Sequence, residues 1–181
     1  MESKTGTFPA ESSGANAPDL SALVYKLGER LAGQGLRLCT VESCTGGGIA
    51  QAMTDVPGSS QWFECGWVAY SNAAKTAMLG VPAELIERHG AVSEAVARAL
   101  VEGGLAHSRA DFAVSVTGIA GPGGGTPEKP VGTVCFGWQR RGQPSRVETR
   151  HLAGERHEVR LQSMLHALGE LLNLQAGTDP G

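Results

Sequence analysis

Hydrophobic positions along the chain fall into alternating helix-like and strand-like blocks. Leu20, Leu23, Val24, Leu27 and Leu31 recur at three- and four-residue spacing, which predicts an amphipathic helix. Asp19 or Ser21 can cap its start, and Gly33 and Gly35 mark its end. Leu36 to Val41 is a short apolar, β-favouring run and reads as a buried strand. Glu42-Ser43-Cys44-Thr45-Gly46-Gly47-Gly48 then opens a second helix through about Thr54, broken at Pro57-Gly58. Trp67 to Tyr70 reads as the next strand, and Ser71 can cap a helix carrying Lys75 and Met78. Pro82 suits the first position of a short helix to His89. Ser93 can cap a helix whose stripe is Val96, Leu100, Val101 and Leu105. Phe112 to Val116 is a third strand, followed by a glycine-rich loop from Gly118 to Gly125. Val131 to Gln139 and Arg146 to Leu152 flank an Arg141-Gly142 turn and predict a hairpin. A last helix from about Glu155 to Leu174 is expected to bury Val159, Leu161, Leu165, Leu168 and Leu172.

Helices alternating with short buried strands, then a hairpin, predict an α/β fold: a three-layer α/β/α sandwich with a mixed β-sheet. In such sheets ligands gather at the carboxyl ends of parallel strands. Three segments of chemical interest each follow a predicted strand: Glu42–Gly48, Tyr70–Lys75 and Thr117–Gly125. One site can draw on all three. The length of 181 residues suits a single domain. Residues 1–18 are rich in Ser, Gly, Ala, Thr and Pro, with Phe8 as the one large apolar side chain, and read as a loose tail. The stretch from Ala176 to Gly181 reads the same way, which leaves 19–175 as the domain.

The net charge is −3 and no Lys/Arg run stands out, which argues against a nucleic-acid or membrane partner. No segment is long and apolar enough to cross a bilayer, and no basic stretch followed by an apolar run opens the chain, so the protein is expected in the cytoplasm. Cys39, Cys44, Cys65 and Cys135 match no zinc spacing and are expected as free thiols.

Ser43 stands where a buried strand gives way to a Gly-rich helix start. A serine there can cap the helix, bind phosphate or act as a nucleophile. Thr45 is an equally good cap and would free Ser43. The N–H groups of Thr45, Gly46 and Gly47 can hold an oxyanion. Glu42 before Ser43 is incompatible with the G-x-S-x-G elbow, and no Lys follows the glycines as in a P-loop. Lys75 lies among Ala73, Ala74, Thr76, Ala77 and Met78, and the nearest acidic residue downstream is Glu84. A lysine against apolar walls loses its proton more readily, which suits a general base for a serine. Tyr70 can orient Lys75 or relay a proton, and Asn72 can cap or bind ligand. His89, His107, His157 and His166 sit at helix ends or in the last helix and form no triad or metal pattern, so neither a metal nor a cofactor is expected. The Thr117–Gly125 glycines, Gly118 and Gly121 among them, bring backbone N–H groups toward a ligand, and the Thr117 hydroxyl can add a bond. Glu128-Lys129-Pro130 reads as a solvated or salt-bridging corner. Arg156 and Arg160, four apart, can grip a phosphate.

Together these segments resemble the CinA C-terminal domain family, whose characterised members are nicotinamide-nucleotide amidohydrolases. The residues that carry the resemblance are Val41-Glu42-Ser43-Cys44-Thr45-Gly46-Gly47, Tyr70-Ser71-Asn72-Ala73-Ala74-Lys75, His89-Gly90-Ala91-Val92-Ser93, Thr117-Gly118-Ile119-Ala120-Gly121-Pro122 and Lys129-Pro130-Val131-Gly132-Thr133-Val134. The resemblance spans about residues 20–174. It implies hydrolysis of the carboxamide of nicotinamide mononucleotide to nicotinic acid mononucleotide and ammonia, with Ser43 as nucleophile, Lys75 as base, Tyr70 in support and Thr117 at the site. It also implies an α/β/α sandwich, a homo-oligomer and a stand-alone form without the large N-terminal domain that some members carry. A nucleotide-phosphate-binding or regulatory domain without turnover, and a Ser–Lys hydrolase of another small amide, are the alternatives.

Overall fold

The computed structural model describes residues 19–176. The expected tail, 1–18, lies outside them. Five strands form one sheet in the order β2-β1-β3-β4-β5: β1 Leu38–Glu42, β2 Phe63–Val68, β3 Phe112–Gly118, β4 Thr133–Arg140 and β5 Arg146–His151. β1 pairs parallel with β2 and β3, while β4 runs antiparallel to β3 and β5. The sheet is therefore mixed, as the pattern predicts. Helices α1 Leu20–Gln34, α2 Gly48–Thr54 and α6 Arg156–Ala176 cover one face, and α3 Asn72–Leu79, α4 Ala83–His89 and α5 Glu94–Ala106 the other.

Strand alternation sorts the core into these layers. Leu38, Phe112, Val114, Val116, Val134, Phe136 and Trp138 pack with Val24, Leu27, Leu31, Ile49, Met53 and Leu168. Cys39, Val41 and Ala113, on alternate positions, pack with Val101, Leu105, Val96 and Leu100 of α5. Local chemistry sets several boundaries: the Asp19 carboxylate caps α1, Gly35 in the left-handed region ends it, and the Ser71 and Ser93 hydroxyls cap α3 and α5.

The differences from the expected boundaries have physical causes. β2 begins at Phe63, earlier than the Trp67 start read from the sequence, because an edge strand need not be continuously apolar and includes Glu64 and Gly66. Ala69 and Tyr70 lie beyond its end. Gly118, expected in the loop, is the last residue of β3 and pairs with Val134. Pro82 occupies the N-cap of α4 rather than its first turn, and Ala176, expected in the loose end, closes α6. Leu161 is 45% exposed and Leu165 half-buried; the seam of α6 runs instead through Val159, Ser163, Ala167, Leu168, Leu171 and Leu172. Two residues subtend about 200° on a helix, so Leu161 cannot share a face with Val159.

Parallel pairing puts the carboxyl ends of β1, β2 and β3 at one end of the sheet. β5 also finishes there, so the first turn of α6 is delivered to the same place.

Candidate active site

Ser43 follows the last residue of β1, and its N–H donates to the Val116 carbonyl of β3 at 2.9 Å. It is 8% exposed. Lys75 lies in the first turn of α3, where the Ser71 cap accepts the Ala74 N–H at 3.0 Å. That capped start turns Lys75 inward, leaving it 1% exposed. Its Nζ lies 3.1 Å from Ser43 Oγ, 2.9 Å from the Ala69 carbonyl oxygen and 3.1 Å from the Tyr70 carbonyl oxygen. An ammonium spends all three donors on these acceptors. A neutral amine keeps two N–H bonds for the carbonyls and directs its lone pair at Ser43. Burial pushes the Lys75 ammonium below its ordinary range. The apolar wall expected from Ala77 and Met78 is not the cause, because both are exposed; Ala74 alone of that set is half-buried. Against the amine lie the segment after β2, whose Ala69 and Tyr70 carbonyls accept from it, and Ser43 at the end of β1, joined by the Ala69 N–H on the Glu42 carbonyl at 2.9 Å.

The turn from Ser43 to Gly47 differs from the expected helix cap. Gly46 and Gly47 take φ values of 62° and 90°, a region that glycine enters without Cβ strain. Neither Ser43 nor Thr45 caps α2: the N-cap is Gly47, without a side-chain bond. Glu42 takes that role, accepting the Ile49 and Ala50 N–H groups at 3.0 and 2.8 Å. Within the turn, the Gly46 N–H is committed to the Ser43 carbonyl and the Gly48 N–H to the Thr45 carbonyl. Gly46 therefore drops out as an oxyanion donor, while the Thr45 and Gly47 N–H groups have no main-chain acceptor among the described residues. The Thr45 hydroxyl is buried without a hydrogen-bond partner among the described residues. Burial pushes the neighbouring Cys44 thiol up to about 11, so it stays protonated at neutral pH. All four cysteines are free.

The remaining segments converge on this turn. A Cβ on Gly118 would come within 3.1 Å of Cys44 Sγ and 2.8 Å of a Val134 methyl, so the end of β3 packs directly beneath it. The Thr117 hydroxyl donates to the Ala91 carbonyl at 2.9 Å, and Lys129 Nζ donates to the His89 and Val92 carbonyls, both at 2.7 Å. Lys129 is thus a clamp on the segment between α4 and α5 rather than a solvated corner. Arg160 donates to the Thr45 carbonyl at 2.7 Å, and Arg156 to the Gly121 carbonyl at 2.8 Å and the Tyr70 hydroxyl at 3.3 Å. Tyr70 therefore offers Lys75 its main-chain carbonyl; the residue is 59% exposed and its hydroxyl meets Arg156. A cavity of about 420 Å³ lies beside these groups, lined by Ala120, Gly121, Pro122, Val131, Gly154 and Arg156 among others. Asn72 is exposed and lines a separate shallow groove with Ile86 and Glu87. Among the described residues no His, Cys, Asp and Glu side chains gather as a metal site. No helix among them is long and apolar enough to cross a membrane.

Residues 20–175 match the family described as the CinA C-terminal domain. The chain belongs to that family. Nicotinamide-nucleotide amidohydrolase PncC of Pseudomonas putida is 53% identical over 157 residues, which are 86% of this chain and 96% of the relative. A longer relative from Symbiobacterium thermophilum, named as a competence-damage inducible protein, is 53% identical over 158 residues; the match covers 83% of this chain but 37% of that protein. Among solved structures, competence damage-inducible protein A (ComA) from Klebsiella pneumoniae superposes with a TM-score of 0.86 at 36% identity, covering 89% of this chain and 99% of that one. The sheet order and layers of this CinA domain are thus those of a known fold. Two contributors escaped the sequence reading. Glu42 reads as a strand-end carboxylate until α2 is folded over it. The Ala69 carbonyl carries no side-chain signal at all.

Proposed function

We propose that this CinA domain hydrolyses the carboxamide of nicotinamide mononucleotide, giving nicotinic acid mononucleotide and ammonia, with Ser43 as nucleophile and Lys75 as base. The observation that carries the reading is the buried Lys75 Nζ at 3.1 Å from Ser43 Oγ, with main-chain carbonyls as its other polar contacts. A neutral Lys75 takes the Ser43 proton as Oγ attacks the amide carbon. The oxyanion falls to the Thr45 and Gly47 N–H groups, which are fixed before substrate arrives. Lys75 then returns the proton to the departing nitrogen, and the C–N bond breaks to leave an acyl-Ser43 ester and ammonia. Water, activated by the same amine, hydrolyses the ester and restores both groups. The ribosylated pyridinium nitrogen withdraws electrons from the carboxamide and makes its carbon a better electrophile. In this reading Arg156 and Arg160 bind the phosphate, Tyr70 and Thr117 shape the pocket, and the reaction needs no metal or cofactor. The name of the P. putida relative supports the same activity. Ammonia release from nicotinamide mononucleotide is the test: the wild-type protein is expected to turn over, and folded Ser43→Ala is not. Near-normal release by Ser43→Ala would remove Ser43 as nucleophile.

A further inference from the structure

Glu42 ends β1, an interior strand of the sheet, and is 1% exposed. A carboxylate so deep in a domain needs a set of donors. Its two oxygens divide the work: Oε2 accepts the Ile49 N–H at 3.0 Å and Oε1 the Ala50 N–H at 2.8 Å, with the Thr40 hydroxyl 3.5 Å from Oε1. These are first-turn donors of α2, which its own N-cap, Gly47, leaves without a side-chain acceptor. The bonds join the residue before Ser43 to the helix after Gly47. They close the Ser43–Gly47 turn into a loop anchored at both ends. Between the anchors, two left-handed glycines and the Gly46 N–H bond to the Ser43 carbonyl set the path of the backbone. The spacing of the anchors decides where the free Thr45 and Gly47 N–H groups face.

We propose that Glu42 is a positioning residue for the amide hydrolysis proposed above: it pins α2 to the end of β1 so that the oxyanion donors are set before substrate binds. The inference rests on that reading. A carboxylate is required because both partners are N–H donors. A glutamine keeps the shape but offers one acceptor, and its NH₂ must face one of the two amides donor to donor. The turn then loses one anchor, and displacements of the order of an ångström at a reacting centre cost about 100-fold.

The experiment compares wild type, Glu42→Gln and a control, Met53→Ala, which thins the buried side of α2 without touching the turn. Ammonia release gives kcat and KM, and an aldehyde analogue of nicotinamide mononucleotide, which forms a tetrahedral adduct on a serine, gives an inhibition constant. For Glu42→Gln, kcat is expected to fall about 10- to 100-fold with KM within about threefold. Aldehyde affinity should fall by the same factor as kcat/KM, and the pH limb set by Lys75 should not move. Met53→Ala should melt earlier and keep kcat. If Glu42→Gln does not fold, Glu42→Asp keeps both acceptors at a reach one methylene shorter and is expected to show the same split. Wild-type kcat in Glu42→Gln, a loss confined to KM, or unchanged aldehyde affinity beside a lowered kcat overturns the positioning role. A wild-type protein inert toward nicotinamide mononucleotide but acylated at Ser43 by p-nitrophenyl acetate would instead overturn the substrate reading. Glu42 is then judged by its effect on that acylation: unchanged acylation in Glu42→Gln overturns the positioning role.

Discussion

If Lys75 works as a base, its burial must be visible in the stability of the protein, and Lys75→Met exposes it. In the folded chain, burial holds the amine below its ordinary value of 10.5. In the unfolded chain that value is restored. Between the two pKa values the unfolded state binds more protons than the folded state, so stability rises with pH. Below the folded pKa the native protein carries an ammonium in a site nearly closed to water, and the cost is present in full. Above 10.5 both states are neutral and the cost is gone. Methionine has similar length, fits the same slot and does not titrate. It also removes three hydrogen bonds, worth about 1 kcal/mol each, and that offset is nearly independent of pH. The informative quantity is therefore the slope of the difference between the two proteins. Inside the window it approaches about 1.4 kcal/mol per pH unit in favour of wild type. For a chain of 181 residues this is about 3–6 °C in Tm per unit. Paired thermal melts from about pH 6 to about pH 10.5 read it directly, because the other titrations cancel in the difference. Lys75→Met should compare best with wild type at the acid end and lose ground steadily as pH rises. A gap that stays flat across the range would refute the reasoning, since it would mean that folding leaves the Lys75 pKa unchanged.

The same amine predicts the kinetics. For wild type, kcat/KM should fall as pH drops below the lowered pKa of Lys75, and the pH–rate profile locates that limb. Lys75→Arg keeps the charge but cannot deprotonate; turnover should fall by about two to four orders of magnitude with KM nearly unchanged, and full activity would remove the base assignment. Arg156→Ala should raise KM for the nucleotide by about 10- to 100-fold, the worth of a hydrogen bond to a charged group, with kcat less affected; steady-state kinetics with nicotinamide mononucleotide check the split.

Much of this molecule was legible as pattern. The period of Leu20, Leu23, Val24, Leu27 and Leu31 requires a helix with one buried face, and α1 has it. Ser71 and Ser93 announce the starts of α3 and α5 because a hydroxyl at that position satisfies an N–H that nothing else can reach. That the three segments after strands lie at one end of the sheet was readable, because parallel strands end on the same side of a sheet. Pattern misled where neighbours in sequence were read as sharing one helix face. Leu161 is as hydrophobic as the leucines of the α6 seam, and only its angle around the helix exposes it. Ala77 and Met78 sit next to Lys75 in sequence but on the outer side of α3, so they do nothing to dry its amine.

What the sequence alone determined, then, was which groups are present and on which elements they ride: a serine at a strand end, a lysine in a first helical turn and two arginines four residues apart. Tertiary structure decided what each of them meets. Lys75 faces Ser43 because β1 and the segment after β2 are held side by side by the Ala69–Glu42 bond. Arg156 and Arg160 reach Gly121 and Thr45 because the β4–β5 hairpin returns the chain to the carboxyl end of the parallel strands before α6 begins. Glu42 caps a helix that starts six residues after it because α2 folds back over the end of its own strand. Hydrogen bonds and desolvation act over a few ångströms, whereas the partners here are separated by up to 115 positions in the chain. Only the packing of the layers brings them within that range.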